Sequence, residues 1–179
     1  MQETVTDIII LRGAPASGKS QTAKCLTRFF PQGVRLEIDN LRQMVISVDW
    51  KDQQEHINML QVSVTLVHEF TRLGLRPVIV IDTFSGNKIN SYLEALNLQE
   101  RGLSVKIFGL FTSEEELKKR VDARSGEEFR DFGICKKINE DTIKFKSDTE
   151  VQIDTTGLLP MQTAQTIFDN IKGIKMSKF

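Results

Sequence analysis

Eight consecutive residues, Gly13-Ala14-Pro15-Ala16-Ser17-Gly18-Lys19-Ser20, carry the spacing G-x-x-x-x-G-K-[ST]. Each fixed position has a chemical reason. Gly13 and Gly18 can adopt backbone angles that a Cβ would penalise, so the loop can turn its amides inward. Those amides form an anion nest at the positive end of the helix that follows. Lys19 is placed to reach β- and γ-phosphates, and the Ser20 hydroxyl to hold Mg²⁺. The pattern therefore predicts a nucleoside triphosphate site running through Gly13, Ala14, Pro15, Ala16, Ser17, Gly18, Lys19, Ser20 and Gln21. A glycine-rich turn that binds nothing is the plainer alternative, and the flanks speak against it. Ile8-Ile9-Ile10-Leu11 reads as a buried strand before the loop. Thr22, Ala23, Leu26, Phe29 and Phe30 recur after it as one face of a helix.

Three further groups could do chemistry. Asp39 and Arg42 stand three apart at the start of a short helix, hence on one side of it. Asp82 closes the apolar run Val78-Ile79-Val80-Ile81, where an acid of the Walker-B kind would orient Mg²⁺ or its water. A turn-capping role at Thr83-Phe84-Ser85-Gly86 is its alternative. Arg120 and Arg124 lie four apart on one helix face and lead into the polar stretch Ser125 to Gly133, with Arg130 further along. His56 and His68 sit on a long helix without a partner at ligand spacing and read as structural. Asp154-Thr155-Thr156-Gly157 and Asp131-Phe132-Gly133 spell known signatures in the wrong surroundings and read as chance. Trp50, Phe129 and Phe132 fit either base stacking or loop packing.

The elements that must hold these residues follow from the period of the apolar positions. Strands are predicted at 8–12, 34–38, 77–81, 105–111 and 151–154. Asp39 then falls at the end of the second strand, with Asn40 capping a helix to about Ser47. Helices are predicted from Gly18 to about Phe30, over 52–73 and 88–101, from Ser113 on, from about Cys135 to Lys146, and from Pro160 to Gly173. In the second of these, Met59, Val62, Leu66 and Leu73 add a second apolar stripe, which predicts a helix buried on two sides. Ser113 with Glu116 is a capping box. Strands alternating with helices five times call for a parallel sheet covered on both faces, in a single domain over 1–179. Ligands of such sheets bind beyond the C-terminal strand ends, where Gly13, Asp39, Asp82 and the segment after Phe111 would all meet.

Composition narrows the partners. The 179 residues hold 24 Lys plus Arg and 24 Asp plus Glu, a balance that gives no sign of a long polyanionic ligand. Cys25 and Cys135 show no metal or disulfide spacing, which points to reduced thiols and a cytoplasmic setting. The acidic start and the four-residue apolar run suit neither a signal peptide nor a membrane span. The tail beyond Gly173 is expected to fray.

Taken in order, G-A-P-A-S-G-K-S, Ile38-Asp39-Asn40-Leu41-Arg42, Ile81-Asp82-Thr83 with Asn87, and the Arg120/Arg124 pair resemble the small P-loop kinases, among them the polynucleotide 5′-kinase-like and zeta-toxin-like groups. The resemblance implies a three-layer α/β P-loop NTPase fold with a five-stranded parallel sheet and a small helical lid at about 124–135. It implies ATP with Mg²⁺, and transfer of the γ-phosphoryl group to a hydroxyl. In its terms Asp39 takes the hydroxyl proton, Arg42 holds substrate phosphate, and Asp82 handles metal or lines the acceptor pocket. Arg120 and Arg124 are lid arginines, one over the adenine and one on the transferring phosphoryl group. The most specific acceptor it implies is a polynucleotide 5′-hydroxyl. A nucleoside, sugar or similar small compound is the alternative, and a regulatory nucleotide-binding ATPase without acceptor is the third reading.

Overall fold

A computed structural model describes residues 6–126 and 128–173, so the expected frayed tail and the first five residues lie outside it, as does Glu127 of the expected lid. The chain runs β1 (Ile8–Gly13), α1 (Lys19–Leu26), β2 (Val34–Glu37), α2 (Ile38–Gln43), α3 (Gln53–Arg72), β3 (Val78–Ile81), α4 (Lys88–Leu96) and α5 (Leu98–Arg101). It continues through β4 (Val105–Phe111), α6 (Glu114–Asp122), α7 (Phe132–Lys144), β5 (Glu150–Asp154) and α8 (Pro160–Ile171). The five strands form one sheet in the order β2-β3-β1-β4-β5, and every pairing is parallel. β1 is central, with Ile8 opposite both Val78 and Val105.

The continuous apolar strands have the physical reason expected of a parallel sheet: both faces are covered. Because side chains alternate across a strand, Ile8, Ile10, Val78 and Val80 pack with Leu60, Val64, Val67, Tyr92 and Leu96 of α3 and α4. Ile9, Leu11, Ile79, Ile81, Phe108 and Leu110 pack with Ala23 and Leu26 of α1 and Ala164 and Ile167 of α8. Helix, sheet, helix makes the three layers. No helix among the described residues is long and apolar enough to cross a membrane.

Several boundaries differ from the sequence reading. Ile38 opens α2 rather than ending β2, so Asp39 stands in a first helical turn and Asn40 inside the helix. Ile38 is apolar because it is fully buried, not because it is extended. α2 also stops at Gln43, short of Ser47. α1 ends at Leu26, and the chain to Phe30 proceeds by hydrogen-bonded turns. The second stripe of α3 is not buried as a whole: Met59 and Leu66 pack on the core, while Val62 and Leu73 are 43% and 56% exposed. The helix expected over 88–101 breaks at Asn97, which takes φ +46°. α7 starts at Phe132, because Asp131 Oδ1 accepts from the Ile134 amide at 3.0 Å and caps it there. The connecting stretch of the lid is correspondingly short.

One buried charge pair steadies the strand that delivers the glycine loop. Arg12 lies on the same face as Ile8 and Ile10, and its Nη1 donates to Glu150 Oε2 and to the Phe145 carbonyl, both at 3.0 Å. Both side chains are essentially inaccessible. Removing one member of such a pair leaves the other charged and dry, at a cost of about 3–5 kcal/mol. Glu150→Ala should lower the free energy of urea unfolding by that order, while the double change Arg12→Met with Glu150→Leu should lose far less. Equal losses in the two proteins would show that the ion pair does not govern this site.

Candidate active site

The loop after β1 is shaped by close approach. Gly13 takes φ +147°, and a Cβ there would fall 2.2 Å from the Leu110 carbonyl oxygen and 2.9 Å from Ser17 Oγ. Neighbouring β4 thus leaves room for glycine alone. Ala16 holds φ +67°, a left-handed conformation unusual for a residue with a side chain. Gly18 takes φ +97° and precedes α1. Ser17 is fully buried, and its hydroxyl has no hydrogen-bond partner among the described residues. Lys19 bends back over the loop, its Nζ donating to the carbonyls of Gly13 at 2.9 Å and Ala14 at 2.8 Å. Burial pushes the Lys19 ammonium down to about 8, against the opposing pull of Asp82 and Asp39.

A cleft of about 1090 Å³ opens above this loop. Its lining brings together Pro15 to Gln21, Asp39, Arg42, Asp82, Arg120 and Arg124. Of the predicted residues, Gly13 and Ala14 lie behind the lining, offering carbonyls to Lys19. Arg130 is exposed on the lid, where its Nη2 donates to the Gly126 carbonyl at 3.2 Å.

Asp39, second residue of α2, is exposed on the wall of the cleft. Its pKa is raised above the ordinary carboxylate range, first by burial and then by the Asp82 charge, with Lys19, Arg42 and His56 opposing. Arg42 is held from below. Its Nη2 donates to the Asp49 carbonyl at 2.9 Å and pairs with Glu55 Oε1 at 3.7 Å, and its guanidinium lies 4.6 Å from the centre of the Trp50 ring. Its buried Nε has no partner.

Asp82 is committed on both oxygens. Oδ1 meets His56 Nε2 at 3.0 Å, and Oδ2 accepts from the Phe84 amide at 2.8 Å. The turn-capping reading of Asp82 therefore describes its structure, while its carboxylate still lines the cleft. No group of three or more His, Cys, Asp or Glu that could hold a metal occurs among the described residues. A Mg²⁺ in this cleft would be held by the Ser20 hydroxyl, with the Asp82 carboxylate in the same lining.

The lid side is built from ion pairs. Arg120 Nε donates to Glu116 Oε1 at 2.9 Å, while Nη1 and Nη2 donate to Thr155 Oγ1 at 3.0 Å and the Thr155 carbonyl at 2.7 Å. Arg124 Nη1 donates to the Phe129 carbonyl at 2.6 Å, and its Nε faces Glu128 Oε1 at 3.5 Å.

Three residues of the cleft escape the sequence reading. His56, taken there as a structural histidine without a partner, is buried against Asp82 at the cleft floor. Its place in the buried stripe His56, Leu60, Ser63, Val67 and Thr71 of α3 was the available signal. Lys88 Nζ lies 3.0 Å from His56 Nδ1 and 2.8 Å from Gln53 Oε1. Thr155, within the D-x-x-G spelling set aside as chance, puts its hydroxyl 3.2 Å from the Ser17 carbonyl. Of the three aromatics left open, Trp50 covers Arg42, Phe129 lines the cleft, and Phe132 packs under α6. Cys25 and Cys135 are both free thiols.

A family profile described as AAA domain matches residues 8–140, and the chain belongs to that family. A search of curated proteins finds no sequence match. Among solved structures, the Deinococcus radiodurans tunicamycin resistance protein is similar at 24% identity and a TM-score of 0.72, over 97% of this chain and 99% of that one. The Mycobacterium tuberculosis APS kinase CysC, in complex with AMPPNP and APS, gives 17% identity and 0.64 over 92% and 96%. One chain of an RNA repair complex gives 20% identity and 0.60, over 92% of this chain and 47% of that one. These likenesses establish the fold, a five-stranded parallel sheet between two layers of helices.

The lowered Lys19 pKa has a sign that can be tested. Between about pH 8 and the ordinary lysine value, the unfolded chain binds more protons at this position than the folded one. The burial penalty is therefore present in full below pH 8 and relieved as pH rises through that window. The stability difference between wild type and Lys19→Met should shift in favour of wild type from pH 8 to 10 in denaturant titrations. A pH-independent difference would remove Lys19 from the account.

Proposed function

We propose that this member of the AAA domain family is an ATP- and Mg²⁺-dependent phosphotransferase that moves the γ-phosphoryl group to a hydroxyl of a small polar compound. One observation carries the reading: Asp39, a carboxyl of raised pKa, shares one cleft with the Lys19 loop and lies within its electrostatic reach. A base facing a triphosphate cradle has use where an incoming O–H must lose its proton. Simple nucleotide binding would not need it.

In this reading the loop amides and Lys19, freed from the Gly13 and Ala14 carbonyls, hold the β- and γ-phosphates. The orphaned Ser17 hydroxyl suits an anion-binding loop, since a buried donor without an acceptor is costly. Asp39 accepts the hydroxyl proton as the acceptor oxygen bonds to the γ-phosphorus and the bond to the β-phosphate oxygen breaks. Arg124 faces the transferring group from the lid. Arg120 steadies the nucleotide side through Thr155, and Arg42 lines the acceptor side.

The acceptor end of the cleft supports a small compound over a nucleic acid strand. Its acids Glu37, Asp39 and Asp82 stand among the cations Arg42, Lys51 and Lys88, and Arg42 is already paired with Glu55. A strand-binding groove is predominantly basic and tracks the backbone. The 5′-hydroxyl oligonucleotide, suggested by the similarity to a chain of an RNA repair complex, enters the test as the competing acceptor.

With γ-labelled ATP and a panel of sugars, sugar acids, nucleosides and 5′-hydroxyl oligonucleotides, label should pass to a small acceptor and not to the oligonucleotides. Transfer to oligonucleotides alone would replace the acceptor class. Absence of any transfer by protein that binds ATP, with hydrolysis indifferent to every acceptor, would favour the regulatory ATPase instead.

Asp39→Asn should reduce transfer about 10²–10⁴-fold, the usual worth of a general base, with ATP affinity unchanged. The acid limb of kcat/KM should lie above the ordinary carboxylate range, the direction in which desolvation and the Asp82 charge push Asp39. Loss of ATP binding in this variant would count against the base assignment.

A further inference from the structure

The acceptor side of the cleft contains a hydrogen-bonded chain of which the phosphoryl-transfer reading uses Asp82 alone. Gln53 at the start of α3, Lys88 at the start of α4, His56 one turn along α3, and Asp82 at the end of β3 are joined in that order by contacts of 2.8, 3.0 and 3.0 Å. All four line the cleft. The chain has a direction. An ammonium only donates, so Lys88 makes His56 Nδ1 an acceptor, and Nε2–H then donates to Asp82. Asp82 in turn is fixed by the Phe84 amide.

Lys88 is the unusual member. Among the described residues no carboxylate lies within ion-pair distance of its Nζ, and both partners of that nitrogen are neutral acceptors. Two of its three N–H bonds are thereby used. The third has no partner among these, and the residue faces the cleft. The one acid acting strongly on it, Asp82, is already taken by His56. Burial lowers the pKa of the Lys88 ammonium, which agrees with a cation lacking a counter-charge. A partly desolvated ammonium held rigidly on two neutral props, in a ligand cleft, is complementary to an oxyanion.

We infer that Lys88, oriented by His56 and Gln53, is the specificity residue for an oxyanion, carboxylate or phosphate, carried by the acceptor away from the hydroxyl that is phosphorylated. This deepens the kinase reading and rests on it for the word acceptor, but the binding site itself can be tested without turnover.

The probe is inorganic phosphate, with acetate as the carboxylate arm, added to protein saturated with Mg²⁺ and AMPPNP so that the P-loop is occupied. The readout is the ¹⁵N resonance of the His56 ring, assigned by His56→Gln. In wild type the Nδ1 signal should be that of an unprotonated acceptor, and should shift saturably with at least one of the two anions. Lys88→Met should weaken that response at least ten-fold, and Lys88→Arg should retain it. The anion that acts identifies the group carried. A His56 signal unmoved by either anion, or moved equally in Lys88→Met, would overturn the inference.

In transfer assays, acceptors bearing the active anion should be preferred at least ten-fold in kcat/KM over neutral counterparts, with the preference lost in Lys88→Met through KM. A preference untouched by Lys88→Met would again overturn it. If no acceptor is phosphorylated, the kinase reading falls while the titration still decides the role of Lys88.

Discussion

An ammonium group bent back over its own loop sets the terms for this protein. Lys19 donates to the Gly13 and Ala14 carbonyls, and it gives up part of its water to reach them. That is a poor exchange for a charge, and it is sustainable because the loop is braced from three sides. Leu110 of β4 presses on Gly13, the Thr155 hydroxyl reaches the Ser17 carbonyl, and the buried Arg12–Glu150 pair anchors the preceding strand. A central parallel strand, flanked by β3 and β4, is what places these supports within reach of one turn. On the proposed function, a polyphosphate bound at this loop would relieve that arrangement.

The arginines of the cleft are held rather than free. Arg42 is paired with Glu55, Arg120 with Glu116, and Arg124 with Glu128. Each pair fixes a long side chain whose freedom would otherwise be lost on ligand binding. The arrangement is preorganised, and much of its electrostatics is spent on aiming donors rather than on raw positive potential. Lys88 departs from the pattern by resting on neutral partners.

How much of this could be read from the sequence depended on whether the signal was local. The glycine loop, the apolar strands and the cap at Ser113 are written in adjacent residues, and the structure contains them. The parallel sheet followed from the alternation of elements. What was lost is what depends on partners distant in the chain. His56 meets Asp82 across 26 positions and Lys88 across 32, and no periodicity within α3 announces either contact. Thr155 draws its importance from Arg120 and Ser17, 35 and 138 positions away. Boundaries failed where one residue serves two masters. Ile38 has the side chain of a strand and the backbone of a helix, and Asp131 caps α7 three residues earlier than the apolar pattern suggests.

The cleft also has a division of labour along the chain. The triphosphate side draws on the loop after β1, on α6 and on the turn after β5, whereas the facing wall comes from 37–56 and from 82–88. The two walls rise from opposite flanks of β1, and the Arg120–Thr155–Ser17 strap belongs wholly to the first. Descendants of such a scaffold can exchange one wall and inherit the other intact. On the proposed function, a change of acceptor falls on those two stretches of twenty residues or fewer and leaves the phosphate loop untouched.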